Sequence, residues 1–309
     1  MKLPLISVMI PTYNQPQYIA QAVESALAQD YEKLEIVVSD DSTNDATEKL
    51  LQPYLADKRF SYFRNPAQLG RVANYRKLLF ELAKGDWVVM LDGDDYYIDN
   101  SFISKAADLI GKHENIVLVG AGMTVLQETS GRKDFYGLDT ADILFDGKEV
   151  FTKYERVPAH QTDIYPKKLA QQLDFYRDSS TASDSESLYR LCLRGMVAYM
   201  AKPVAVWRVH SSNTTYQRHL GKQINELVFI DKVYTDARKY LHADSASKWR
   251  KKMYISMSAH LLSMAFAAKQ YRYVVMIVIR FGKYMGWKLS LVYLLQIFGL
   301  YKPPATVEA

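Results

Sequence analysis

Four short apolar runs, each closed by polar turn residues and separated from the next by a stretch of helical spacing, constrain this chain more than any other feature. Residues 5–10 form the first and stop at Pro11, and residues 34–39 form the second and stop at Asp40 and Asp41. Residues 59–63 offer a third. Residues 86–91 offer a fourth, which ends on Asp92, Asp94 and Asp95. Between the first two, Ile19, Ala22, Val23, Ala26 and Leu27 recur at helical spacing, and helices are also predicted over 44–55 and 72–83. Short apolar runs bounded by turn signals read as buried parallel strands. The alternation predicts a doubly wound, mostly parallel α/β sheet whose ligand crevice lies at the carboxyl ends of its strands. Polar residues just after strands are therefore the candidate site.

A helix over 101–112 and a strand over 116–119 continue the pattern, which becomes less regular to about residue 215. From Gly221 the chain reads as helices, with 224–240 and 246–268 as units, so the expected division is 1–220 and a helical appendage, 221–309. The last apolar segment, 273–300, is broken by Arg280, Lys283 and Lys288. It lacks the uninterrupted run of roughly 20 apolar residues a spanning helix needs. Two readings stay open: a helix lying in a membrane interface with aromatic and basic residues at headgroup level, and an ordinary helix packed on the domain or on a partner subunit.

The chain's 309 residues, 49% of them hydrophobic, suffice for a full core, which excludes disorder. Thirty-nine Lys and Arg against 34 Asp and Glu give a net charge of +5, suited to an anionic ligand or an acidic membrane surface without singling out nucleic acid. Cys192 is the only cysteine, so no intrachain disulfide or cysteine-based zinc site is available. The opening apolar run is too short for a signal peptide and contains a proline, so a cytoplasmic location is expected.

Asp92, Asp94 and Asp95 crowd three carboxylates into four positions. Ionised groups this close repel one another and cost free energy at a buried strand end unless a cation compensates. An all-oxygen donor set suits Mg²⁺ or Mn²⁺, which commonly bridge to nucleotide phosphates. The bland alternative is a solvated acidic turn. An EF-hand is excluded, because counting from Asp92 puts Tyr97 where that loop needs Gly and Ile103 where it needs Glu. At the other strand ends, Tyr13 offers a ring to stack on a base, Asp41 an acceptor for a pyrimidine N–H, and Arg71 a charge to offset a diphosphate. None is specific alone, since a strand-end tyrosine commonly packs and an Asp pair commonly caps a helix.

The order of these motifs resembles the GT-A glycosyltransferases, specifically the inverting family 2. The matching pieces are the opening run through Pro11, Thr12, Tyr13 and Asn14, then Glu24 to Gln29, Glu35 to Ser42, Gly70 with Asn74, Gly85 with Asp86, and Leu91-Asp92-Gly93-Asp94-Asp95. The resemblance covers roughly residues 3–215. It implies that Pro11, Thr12, Tyr13, Asn14 and Asp41 line the nucleoside pocket and that Arg71 lies toward the diphosphate. Asp92, Gly93 and Asp94 would be the DXD motif at ribose, metal and diphosphate, with Asp95 a neighbouring metal or sugar contact. The family usually has glycine where this chain has Ser42, which weakens the loop match but leaves the aspartates in place.

Such enzymes invert the anomeric centre by direct displacement, so a carboxylate must take the acceptor's proton. Asp184 matches that base best, Glu186 is the fallback, and Asp178 reads as a loop residue; taken alone, Asp184 would be a helix cap. His210 matches a metal or diphosphate contact, and Arg208 a phosphate or acidic partner; His160 has no comparable context. The expected cofactor is Mn²⁺ or Mg²⁺. The expected partners are a nucleotide-diphospho-sugar donor, with UDP as the default, and a glycan or lipid-linked glycan acceptor. No nucleic acid is expected, while a homo-oligomer and peripheral membrane contact through the C-terminal helices are compatible. A nucleotidyltransferase is disfavoured by the absence of a glycine-rich phosphate loop, and a glycoside hydrolase leaves the strand-end aspartates unexplained. The non-enzymatic rival is an inactive scaffold of the same fold.

Overall fold

A computed structural model describes residues 3–154, 157, 159–213, 219–286 and 290–292. The chain divides into two compact units, Met1–Ser211 and Ser212–Ala309, a division nearer the amino terminus than residue 220. In the first unit β1 (Ile6–Thr12), α1 (Pro16–Leu27), β2 (Leu34–Asp40), α2 (Ala46–Leu51), β3 (Phe60–Arg64), α3 (Arg71–Lys77) and β4 (Trp87–Met90) alternate as the sequence pattern predicts. There follow β5 (Tyr96–Tyr97), α4 (Phe102–Lys112), β6 (Ile116–Gln127), β7 (Lys133–Tyr136), β8 (Ile143–Asp146), β9 (Tyr165–Pro166), α5 (Lys167–Gln172), α6 (Ser183–Cys192) and β10 (Met196–Val209).

The first sheet has the order β3-β2-β1-β4-β9, parallel except for β9 at the edge. β1 is fully buried, as expected of a central strand covered on both faces. Its one polar interior residue, Ser7, is satisfied by Glu35 and by the Gly85 N–H (2.8 Å). Strand order reverses between β1 and β4, because the chain leaves β1 toward β2 and returns on the other side. That reversal is the switch point where such sheets open a crevice, and it places Tyr13 and Asp92 at its mouth.

Residues 120–215 conceal a second sheet, ordered β5-β10-β6-β7 with β8 also on β10. Its main pair, β6 and β10, is parallel. The predicted strand over 116–119 continues to Gln127, where β7 pairs with it and covers Gly122. A Cβ on Gly122 would lie 2.7 Å from the Phe135 ring on the adjacent β7. β10 carries Pro203 in its interior, and the register shifts on both sides of it. A proline lacks the ladder donor and is tolerated in a strand at such an irregularity.

Two helices depart from their predicted extent. α2 ends at Leu51 and passes into a 3₁₀ turn, Gln52–Ala56, that contains Pro53, which has no N–H for a helical bond. α3 passes into a π turn at Leu78–Leu82. In the second unit, α7 (Leu220–Glu226) and α8 (Phe229–Ala237) occupy the stretch expected as one helix, followed by α9 (Ala243–Ala267) and α10 (Tyr271–Met285). Tyr254 of α9 stacks on Phe281 (5.2 Å) and Tyr284 (4.2 Å) of α10. No helix among the described residues is long and apolar enough to cross a membrane. Residues 293–300 of the apolar segment lie outside the described residues.

α1 and α4 both contribute to the core of the first unit, α4 through Phe102, Ile103, Ala106 and Ala107. Phe102 is fully buried with its ring 5.4 Å from that of Tyr97. Phe102→Ala is expected to destabilise the first unit by about 3–5 kcal/mol, read as a lowered urea midpoint with an unchanged slope.

Candidate active site

The end of β1 is tied to the loop after β2. Thr12 lies opposite Asp40 in the parallel register, and the Asp41 N–H donates to the Thr12 carbonyl (2.9 Å). Asn14 adopts a left-handed backbone (φ 51°). Its N–H donates to Ser42 Oγ (2.8 Å) and its side-chain carbonyl accepts from the Thr43 N–H (3.1 Å). Ser42, where the family usually has glycine, thus closes the loop with its hydroxyl. Asp41 is buried and accepts from Asn65 Nδ2 (3.0 Å) and from the N–H groups of Leu69 (2.8 Å) and Gly70 (2.8 Å). Its first role is to fold the loop that starts α3, where Gly70 supplies a φ of +86°. Tyr13 stands 45% exposed at the mouth, its ring accessible for stacking.

The acidic loop lies directly against β1. The Gly93 N–H donates to the Pro11 carbonyl (3.0 Å), and a Cβ there would come within 2.9 Å of that oxygen and 3.0 Å of Thr12 Cβ. A glycine is required for this approach. Donor oxygens of Asp92, Asp94 and Asp95 lie within 4.8 Å of one another. Asp92 accepts from the Tyr75 hydroxyl (2.7 Å) and faces His160 Nε2 (3.1 Å). Asp94 accepts from Gln15 Nε2 (2.9 Å) and meets His210 Nε2 (3.0 Å). Asp95, the most deeply buried, accepts from the Arg208 N–H (2.8 Å) and from Gln161 Nε2 (2.9 Å).

Electrostatics separate the three. Burial raises the Asp94 and Asp95 carboxyls above the ordinary range, and the adjacent aspartates raise them further. Asp92 goes the other way: burial is outweighed by His160, Tyr75 and Arg71, which hold its carboxyl low. A divalent cation relieves this repulsion, and the all-oxygen, half-accessible donors of Asp92 and Asp94 fit a hard metal ion. His210 stands outside the group of three, with its ring 4.8 Å from Tyr18. Arg208 clamps the loop by donating from Nε to the Asp94 carbonyl (2.9 Å), its guanidinium between the rings of Tyr18 (4.6 Å) and Tyr96 (5.1 Å).

Asp184 and Glu186 sit in the first turn of α6 but in different surroundings. Glu186 is buried between two guanidiniums, paired with Arg177 and accepting from Arg190 Nη2 (2.9 Å). Both of its oxygens are taken up by these two side chains. Asp184 is 26% exposed, and its Oδ2 lies 3.6 Å from His160 Nδ1. Arg71 reaches the same region, donating from Nη2 to the Thr181 carbonyl (3.0 Å) with its guanidinium 5.4 Å from the Tyr75 ring.

His160 was given no role by sequence reasoning, and the structure places it between the acidic loop and Asp184. It lies in a 3₁₀ turn, His160–Thr162, pinned by Thr162 Oγ1 donating to the Ala121 carbonyl of β6 (2.8 Å). Burial disfavours its cation, but Asp92 and then Asp184 outweigh this and raise its pKa. Asp163, next in the chain, is fully buried with neither oxygen hydrogen-bonded among the described residues. Burial first, then the charge of Asp184, push its carboxyl well up. No local periodicity marks either residue.

A parallel α/β sheet with a carboxylate cluster at its switch point is an arrangement suited to a metal ion and a phosphorylated ligand. The chain matches glycosyl transferase family 2 over residues 7–163, which is 157 of its 309 residues, and belongs to that family. It is 30% identical to an uncharacterised glycosyltransferase of Mycoplasma genitalium over 221 residues, 68% of this chain and 71% of that one. It is 28% identical to another from Rickettsia typhi over 220 residues, 69% of this chain and 66% of that one. In structure it resembles residues 1–349 of Staphylococcus aureus TarS, crystallised with UDP-GlcNAc, with a TM-score of 0.71 at 17% identity over 92% of this chain and 82% of that one. It also resembles the mannosyltransferase PcManGT of Pyrobaculum calidifontis, solved with GDP-Man and Mn²⁺, with a TM-score of 0.55 at 16% identity over 97% and 87%. These likenesses bear out the GT-A fold.

The contrast on α6 is open to test. Breaking a buried ion pair leaves an uncompensated charge, so Glu186→Gln is expected to cost about 3–5 kcal/mol of stability. Asp184→Asn is expected to move the urea midpoint less, because Asp184 is part-exposed and the imidazole it faces keeps Asp92 as its nearer partner.

Proposed function

We propose that the chain is a metal-dependent inverting glycosyltransferase that moves a sugar from a nucleotide-diphosphate donor, a UDP-sugar by default, to a hydroxyl of a glycan or lipid-linked glycan. One observation carries this reading: His160 joins the Asp92 of the acidic loop (3.1 Å) to Asp184 (3.6 Å), so donor-side and acceptor-side carboxylates face one centre. Tyr13 offers its exposed ring to the base, while Asn14 and Asp41 hold the two loops that frame it. Asp92 and Asp94, with Asp95 behind them, would hold Mn²⁺ or Mg²⁺, which when bound supplies positive charge against a diphosphate leaving group.

Asp184 takes the proton of the acceptor hydroxyl as that oxygen attacks the anomeric carbon and the bond from that carbon to the diphosphate breaks. His160 meets Asp92 through Nε2 and turns Nδ1 toward Asp184 at 3.6 Å, so its charge acts on both carboxylates. Direct displacement on the face opposite the leaving group inverts the anomeric centre, and no covalent enzyme intermediate is needed. The relatives solved with UDP-GlcNAc and with GDP-Man support testing both bases.

Calorimetric titration with UDP, GDP, dTDP and CDP, with and without Mn²⁺, tests this directly. Binding of one nucleotide that depends on the metal is expected; binding of none would transfer the weight to an inactive scaffold. Asp94→Asn is expected to weaken both nucleotide binding and turnover. Asp184→Asn is expected to lower transfer by about 100-fold or more while nucleotide affinity stays near that of the unaltered chain. Equal loss of the two would take the role of base from Asp184.

A further inference from the structure

The C-terminal unit carries a charge asymmetry that the transfer reaction does not use. Residues 245–307 contain no Asp or Glu at all, while Lys248, Arg250, Lys251, Lys252, Lys269, Arg272, Arg280, Lys283, Lys288 and Lys302 fall within them. With 34 acidic residues in a chain of 309, a 63-residue span without one is a strong local bias.

α10 gives that bias a shape. Tyr273, Val274, Ile277, Phe281 and Met285 are buried. The opposite face exposes Val275 and Met276, and Ile279 stands 80% exposed. Arg272, Met276, Ile279 and Lys283 recur at spacings of four, three and four, so they line one stripe of the helix with a cation at each end. Arg280 flanks its centre. Arg272, Arg280 and Lys283 make no ion pair among the described residues; Arg272 donates to the Tyr273 hydroxyl (3.0 Å) and Arg280 to Asn225. No helix here is long and apolar enough to cross a bilayer.

We propose that α10 lies on an anionic lipid surface, with Val275, Met276 and Ile279 entering the headgroup boundary and Arg272, Arg280 and Lys283 against acidic headgroups. An apolar stripe bracketed by basic residues is the pattern of an interfacial helix. A second copy of the chain is disfavoured by charge. With a cation at each end of the stripe, parallel and antiparallel pairing both bring like charges together. A polyanion such as nucleic acid has no use for the aliphatic centre. The surface shares no residue with the transfer site, and it would hold its unit at a membrane carrying a lipid-linked acceptor.

The test is co-sedimentation of the full chain with phosphatidylcholine vesicles, with and without phosphatidylglycerol, at low and high salt. Binding that requires phosphatidylglycerol and weakens with salt is expected. Arg272→Gln with Lys283→Gln is expected to lower the partition coefficient about fivefold for each charge removed. Ile279→Ser is expected to lower it roughly tenfold. Circular dichroism and nucleotide titration of each variant check that the fold is intact. Nucleotide binding without vesicle binding would sink this inference and leave the transferase reading standing. Vesicle binding indifferent to both variants would also overturn it, as would a shift from dimer to monomer on Ile279→Ser, which would assign the face to a second copy.

Discussion

Asp92, Asp94 and Asp95 repel one another, and the first unit is organised around holding them together. Each carboxylate has its own donors: Tyr75 and His160 for Asp92, Gln15 and His210 for Asp94, the Arg208 N–H and Gln161 for Asp95. Those donors come from α3, from the residue before α1, from the turn before β9 and from the end of β10 and just after it. The backbone contact of Gly93 on Pro11 sets the distance. Such a cluster exists only if both sheets have formed, which couples the site to the whole unit. The same repulsion that makes the loop expensive without a cation makes it receptive to one.

α6 shows how environment divides the work of two carboxylates only two residues apart. Glu186 points into the unit and neutralises two guanidiniums, while Asp184 faces the crevice with His160 behind it. Their side chains are nearly the same, so the distinction lies in the partners, as for acid and base pairs in many enzymes. Asp163 extends the contrast: it is buried with no hydrogen-bond partner among the described residues, and burial pushes its carboxyl well up. Three carboxyl groups in one region thus differ in surroundings: one paired with two guanidiniums, one part-exposed beside an imidazole, and one buried.

Several site residues were legible because they follow strands, and strand ends are readable from local periodicity. Tyr13, Asn14, Asp41 and the acidic loop follow strands in this way, and the structure shows Asn14 and Asp41 holding loops together. His160 was passed over. It sits 68 residues from Asp92 in the chain, in a stretch with neither helical nor alternating spacing, and no local rule announces such a meeting. β10 was concealed for a related reason, since Pro203 argues against a strand until the irregularity that accommodates it is seen.

By itself the sequence determined the alternation of strands and helices, the parallel sheet that alternation requires, the acidic loop at a strand end and the motifs that place the chain in its family. These are local properties, written at periods of two and 3.6 residues and in short fixed spacings. Only the tertiary structure decided that β6 pairs with β10, that His160 bridges Asp92 to Asp184, that Glu186 is anchored while Asp184 is not, and which face of α10 is bare. Each of those rests on contacts between residues far apart in the chain, and burial and charge pairing act on neighbours in space.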